Sequence, residues 1–334
     1  MSSLHIFKKD ILKKLRQRQQ TVRRVEPVRV MVLGFAAVIL IGALLLMLPI
    51  STRSGEGADF ITALFTATSA TCVTGLVVED TYLFWSPFGC TVIILLIQTG
   101  GLGFMTMAAA FSLLLRRRIS MRERLLMGTS LNMDSLSGMV RLVRRVIFGT
   151  FLFEGMGALI LSVRFMRDYG FLGGIARGVF HSISSFCNAG FDLFGDRMEF
   201  GSLIPYAGDF VITITVCLLI VLGGLGFFVW SDIYSARDNG RVHTQTKIVL
   251  RVTLLLIALG TVVFFIAEYN NPATIGNENV FHKFLSSLFQ SVTTRTAGYA
   301  QMDQASMTGV SKALSVALMF IGCSPGSTAG GVKT

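Results

Sequence analysis

Three Ser/Thr-rich stretches each end on a glycine followed by a large apolar residue: Thr71-Cys72-Val73-Thr74-Gly75-Leu76, Cys187-Asn188-Ala189-Gly190-Phe191 and Thr294-Arg295-Thr296-Ala297-Gly298-Tyr299. None carries an acid–base pair. Their chemical resource is the backbone: rings of carbonyl oxygens can replace the hydration shell of a cation. A glycine after each carbonyl run allows the chain to turn with no side chain in the way. The hydroxyls of Thr71, Thr74, Thr294 and Thr296 are suited to satisfying neighbouring backbone groups. A fourth stretch, Gly322-Cys323-Ser324-Pro325-Gly326-Ser327-Thr328-Ala329-Gly330-Gly331-Val332-Lys333-Thr334, offers a different chemistry. Gly326 and Gly331 have the separation of a phosphate-binding loop, but Val332 pushes Lys333 one place too far, so a phosphate cradle is rejected. Pro325 removes a backbone donor, and Gly326, Gly330 and Gly331 disfavour helix, so the stretch reads as a loop.

Bond-making chemistry finds little support elsewhere. Cys72, Cys90, Cys187, Cys217 and Cys323 form no CxxC pair, and His5, His181, His243 and His282 are dispersed. No Ser-His-Asp or paired-carboxylate arrangement stands out, so the chain does not read as an enzyme and implies no cofactor.

The elements that must hold these stretches are membrane spans. Of 334 residues, 52% are hydrophobic and 15% charged, against roughly a quarter charged in soluble domains. Runs long enough for a hydrocarbon core occur at Val30–Pro49, Phe88–Leu115, Val146–Val163, Phe210–Trp230 and Ile248–Ala267, with Ala313–Ile321 shorter. The net charge of +11 is concentrated in alternate loops. Lys8, Lys9, Lys13, Lys14, Arg16, Arg18, Arg23, Arg24 and Arg29 precede the first run; Arg116, Arg117, Arg118, Arg122, Arg124, Arg141, Arg144 and Arg145 follow the second; Arg237, Arg241, Lys247 and Arg251 follow the fourth. Acidic residues such as Glu79, Asp192 and Glu278 occupy the other loops. By the positive-inside rule this predicts a cytoplasmic N-terminus in a multi-pass protein, and a topology signal in place of nucleic-acid binding.

The glycines at 75, 190 and 298 recur at near-equal intervals, and Gln98-Thr-Gly-Gly-Leu-Gly-Phe104 and Val221-Leu-Gly-Gly-Leu-Gly-Phe227 follow the first two. That periodicity predicts one unit repeated: span, short helix, glycine turn, span. The fold class expected is an all-α polytopic membrane protein of helix–pore-loop–helix units, resembling a K+ channel. The divisions are a basic segment 1–29, repeats at 30–116, 117–236 and 237–334, the last ending inside its intramembrane loop, and no fourth repeat. The two Gly-Gly-Leu-Gly-Phe motifs read as small-residue helix packing. Glu154, inside the third run, reads as paired structurally or as a contributor to an ion path. Arg295 is expected to point behind the carbonyls to a carboxylate.

On these residues the chain resembles the pore subunits of the Trk/Ktr/HKT superfamily of potassium transporters, of the KtrB/TrkH type, over Val30–Thr334. The resemblance implies K+ uptake across the plasma (inner) membrane by four non-identical repeats around one ion path. Three are present here of an expected four. It assigns the filter to Thr71, Cys72, Val73, Thr74 and Gly75, to Cys187, Asn188, Ala189 and Gly190, and to Thr294, Arg295, Thr296, Ala297 and Gly298. It assigns an intramembrane gate to Gly322 through Gly331 with Lys333. It also implies a homodimer on a cytosolic nucleotide-binding RCK-type subunit, contact with membrane lipid, and K+ as the transported ion with Na+ as a coupling ion. A ring with three of four sides is not expected to conduct alone. The alternatives are a Na+-preferring member, which the intact Gly75 disfavours, and a non-conducting remnant or scaffold.

Overall fold

The computed structural model describes residues 27–103, 106 and 139–332. Most of the basic head, Arg116 to Arg124, the 116/117 boundary and Lys333 lie outside the described residues. Among these residues ten α-helices are bounded, in order: α1 (Pro27–Leu46), α2 (Phe60–Thr71), α3 (Thr81–Phe84), α4 (Pro87–Leu102), α5 (Met139–Phe186), α6 (Phe210–Leu225), α7 (Phe227–Asn239), α8 (Thr244–Glu268), α9 (Val280–Thr293) and α10 (Gly309–Phe320). No strand occurs among the described residues.

Their starts are written locally. Asp59 accepts the Ile61 and Thr62 N–H groups, Ser86 the Gly89 N–H, Asp209 the Ile212 N–H, Asn279 the His282 N–H and Thr308 the Ser311 N–H. Each satisfies donors that the first turn of a helix leaves open. At the far end of α8, Glu268 accepts from the Thr274 hydroxyl at 2.7 Å and from the Thr308 N–H at 2.8 Å, which ties α8 to the start of α10.

Of these helices, α1, most of α5, and α8 are long and apolar enough to cross a membrane, whereas α2, α4 and α10 are apolar but shorter. Large apolar side chains such as Leu33, Leu254 and Leu255 face outward. In water such a surface would be a liability; lipid accepts it. α5 is two helices: Gly170, at φ 72° and ψ −179°, separates 139–169 from 171–186. The second half folds back against the first, and a Cβ at Gly174 or Gly178 would sit 2.6 Å from the Met166 nitrogen or 2.5 Å from the Ser162 nitrogen. Small residues thus permit a short helix to run beside its span. Packing proceeds along the chain: α1 on α2 and α4, α2 on α4, α4 on α5, α5 on α6, α6 on α9, and α8 on α9 and α10.

The expected continuous run Phe210–Trp230 is not one helix. α6 stops at Leu225, Gly226 takes φ 87°, and the chain bends by 88° into α7. A positive φ there is open to glycine and incompatible with continuing the helix. The third glycine of the first motif, Gly103, likewise ends α4 at φ 80°.

Candidate cation site

α2, the second half of α5, and α9 end on Thr71, Phe186 and Thr293, each directly ahead of one of the three glycine stretches. The three glycines then come together. A Cβ on Gly75 would lie 2.4 Å from the Ala189 carbonyl oxygen, and one on Gly190 would lie 2.6 Å from the Ala297 carbonyl oxygen. Gly298 approaches Gly190 in turn. Residues far apart in sequence are therefore neighbours around one point.

The backbone follows one pattern at all three places. Gly75, Gly190 and Gly298 have φ of 74°, 72° and 83°, and so do the non-glycine residues two places earlier: Val73 at 56°, Asn188 at 58° and Thr296 at 74°. Left-handed φ in a β-branched residue is strained and clusters at functional sites. Alternating the hand of successive residues turns their peptide planes the same way, so carbonyls can face one side instead of alternating as in a strand. The N–H before each glycine is engaged away from that point: Thr74 donates to the Ser69 carbonyl at 2.9 Å, Ala189 to that of Ser184 at 2.8 Å and Ala297 to that of Thr293 at 2.9 Å. The same three residues donate their hydroxyls to the carbonyl after the glycine: Ser69 to Leu76 at 2.6 Å, Ser184 to Phe191 at 2.8 Å and Thr293 to Tyr299 at 2.7 Å. Each turn is clamped at both ends by one side-chain-bearing helix residue.

Sequence alone does not single out Ser69, Ser184 and Thr293, although each places a hydroxyl five or six residues before its glycine. Of the threonines named from the sequence, Thr74 and Thr294 bond back to the short helices before them, to Ser69 and Gln290. The buried hydroxyls of Thr71 and Thr296 have no hydrogen-bond partner among the described residues. Helix carbonyl ends carry partial negative charge. Three of them aimed at one place favour a cation there.

The Gly-Gly-Leu-Gly-Phe motifs do more than pack helices. A Cβ on Gly100 would lie 1.9 Å from the Thr71 oxygen, and one on Gly223 1.9 Å from the Phe186 oxygen. The first glycine of each motif thus admits the last carbonyl of a short helix. The second admits a cysteine: Gly101 faces Cys187, and Gly224 faces Cys323.

Behind the second stretch, Glu154 is buried and accepts from Gln98 Nε2 at 3.0 Å, with the Cys187 thiol 3.9 Å away. The pairing half of the expectation for Glu154 is what the structure contains. Arg295 corrects another expectation: it is buried, makes no ion pair among the described residues, and its Nε has no hydrogen-bond partner there. Ile220, Val221, Ile257 and Val292 line the cavity beside it, and no carboxylate among the described residues lines it. Its carbonyl accepts from Cys323. Asp192, two residues after Gly190, lies outside the spans; burial pushes its carboxyl up to about 6 against the lowering effect of the Phe194 N–H.

Residues 322–331 lie against this site as a non-helical loop held by the break at Gly226. A helix end leaves carbonyls unsatisfied. Thr328 N–H donates to the Gly223 oxygen at 3.3 Å, Ser324 N–H to the Gly224 oxygen at 3.2 Å, and the Ser324 hydroxyl to the Leu225 oxygen. The Phe227 N–H, free at the start of α7, donates to the Gly326 oxygen at 2.9 Å. Thr328 also joins the loop to the second stretch, donating to the Phe186 oxygen at 3.0 Å and accepting from Asn188 Nδ2 at 2.9 Å.

Residues 3–334 match the family described as TrkH, cation transport protein. The chain belongs to that family. Among its relatives, the Ktr system potassium uptake protein B of Bacillus subtilis (strain 168) is 42% identical over 310 residues, covering 93% of this chain and 68% of that protein. The potassium/sodium uptake protein NtpJ of Enterococcus hirae is 40% identical over 312 residues, with the same coverage of 93% and 68%. The crystal structure of the potassium transporter TrkH from Vibrio parahaemolyticus superposes with a TM-score of 0.68 at 17% identity, over 93% of this chain and 60% of that one. That likeness establishes a TrkH-like helical fold. The chain of this TrkH-family member spans about 60% of the length of that solved transporter.

Proposed function

We propose that the protein is the pore-forming subunit of a potassium uptake system, and that K+ crosses by shedding water onto carbonyls of Thr71–Gly75, Cys187–Gly190 and Thr294–Gly298. The observation that carries this reading is the meeting of Gly75, Gly190 and Gly298, each preceded at the same offset by a non-glycine residue in the left-handed region. The names of the relatives support potassium as cargo. In this reading the chain comprises pore repeats at 30–116, 117–236 and 237–334, the basic loops face the cytoplasm of a plasma-membrane protein, and residues 322–331 gate the path from that side. A homodimer on a nucleotide-binding RCK-type ring completes the assembly. Sodium as coupling or preferred ion is the second reading, favoured by the potassium/sodium relative; the intact Gly75 weighs against a sodium preference.

The test is uptake by the full-length protein in a potassium-transport-deficient bacterium. Gly75→Ser, Gly190→Ser and Gly298→Ser should each let Na+ compete with K+, because a side chain there displaces the carbonyl beside it. An unchanged K+/Na+ preference in all three would remove these stretches from the filter.

A further inference from the structure

A groove of about 870 Å³ lies between α5 and α7, outside the site described above. That is within the range of sites that accept drug-sized or larger ligands. Its walls are apolar, formed by residues such as Leu152, Phe153, Phe227 and Trp230, and one end is basic, formed by Arg144 and Arg145. Arg145 is braced there, donating to Ser231 and Ser235 hydroxyls at 3.3 Å and 3.2 Å, with its guanidinium 5.1 Å from the Tyr234 ring centre. Among the described residues neither arginine pairs with a carboxylate and no acidic residue lines the groove.

We infer that this groove binds one anionic phospholipid, its phosphate on Arg144 and Arg145 and one acyl chain along Leu152 and Phe227. The inference rests on the chain spanning a membrane, and stands whether or not it carries K+. An apolar trench within a membrane is filled by lipid chain at no cost, and two guanidinium groups with no carboxylate partner among the described residues select a negative headgroup at its mouth. A second copy of this chain, seated groove to groove, is a poor occupant, because it would add two more arginines and no carboxylate to the contact.

The place matters because Leu225 and Phe227, on either side of the Gly226 break, both line the groove. Phe227 is also the residue whose N–H holds Gly326. A lipid seated here props the bend on which residues 322–331 rest.

The experiment is native mass spectrometry of the full-length protein released from nanodiscs of phosphatidylglycerol or of phosphatidylcholine. The parent should retain one phosphatidylglycerol and release phosphatidylcholine. Arg144→Gln and Arg145→Gln should each weaken retention about fivefold, and Arg145→Lys, which keeps the charge, much less. Leu152→Trp, at the half-exposed lip, should expel the lipid by occupying its space while Arg144 and Arg145 stay in place. Should Arg145→Gln fail to fold, Arg144→Gln and Leu152→Trp carry the test. Equal retention of both lipids by the parent, no change in Arg144→Gln, or a co-purifying acidic polypeptide in place of lipid would overturn the inference.

Discussion

The stretches ending at Gly75 and Gly190 share one backbone and differ in what surrounds them. Both have left-handed φ at the glycine and two places before it, and both are clamped by a serine six residues before that glycine. Yet Cys72 is exposed, whereas Cys187, Asn188 and Ala189 are almost wholly buried. The second stretch is backed by Glu154 and Gln98, tied to Tyr299, and held by Thr328 of the loop. The lesson is that local sequence chemistry suffices to set the turn, and that surroundings determine how much else depends on it.

The largest expected effect separates the two glycines. Gly190→Ser puts a side chain into a buried backbone contact at positive φ, which costs about 1–2 kcal/mol in strain before any clash. It should lower folded yield as well as K+ selectivity. Gly75→Ser meets the same positive-φ strain and an equally close carbonyl, but in a stretch bonded to less of its surroundings, so its yield, read by size-exclusion chromatography, should fall less than that of Gly190→Ser while selectivity is lost. Equal yields would break the comparison.

Next comes the loop, which bonds the second stretch through Thr328. Thr328→Val removes the acceptor of Asn188 and the donor to Phe186. Losing about 2 kcal/mol from the held state should raise the open-to-held ratio roughly thirtyfold. K+ flux into proteoliposomes should rise, and deleting Ser324 to Ala329 should raise it further with K+/Na+ preference largely kept. A folded deletion variant no faster than the parent would sink the gate assignment.

A smaller effect sharpens the comparison at the clamps. Ser69→Ala leaves the Leu76 carbonyl without its side-chain donor, whereas Ser184→Ala leaves Phe191 still accepting from the Tyr299 hydroxyl at 3.0 Å. Ser69→Ala should therefore shift Na+ competition more, by about 1 kcal/mol in relative affinity. Only Ser184→Ala combined with Tyr299→Phe should match it.

The smallest effect is on pH. Asp192 is held up at about 6 by burial, above the usual aspartate range. Its contribution to stability is therefore complete below about pH 4 and is lost as pH rises through about 6, so mild acid favours the fold. Acid also removes a negative charge two residues from Gly190. K+ uptake should fall as pH drops through about 6, and Asp192→Asn should flatten that profile.

The glycine turns, the Pro325 loop and the alternation of long and short apolar segments were legible because each is a local composition. Gly226 was not, because a Gly-Gly-Leu-Gly run is also what closely packed membrane helices contain; only the loop that occupies the broken end decides between them. Arg295 misled for a related reason: a buried cation calls for a partner, and sequence gives no distance. Ser69, Ser184 and Thr293 were readable in principle, but hydroxyls in amphipathic helices are common, and their role appears only when the carbonyl after each glycine turns back to meet them.

Under the gating role proposed for residues 322–331, the interrupted helix at Gly226 has a thermodynamic consequence for opening. While the loop is seated, the carbonyls of Gly223, Gly224 and Leu225 are bonded to Thr328 and Ser324. Moving the loop strands those oxygens unless water replaces them, and water reaches them only through a wetted path. Loop release and wetting are then one event, and the equilibrium should respond to water activity. Osmolytes excluded from the path, added to both sides of a proteoliposome, should favour the dry state in proportion to the number of waters taken up.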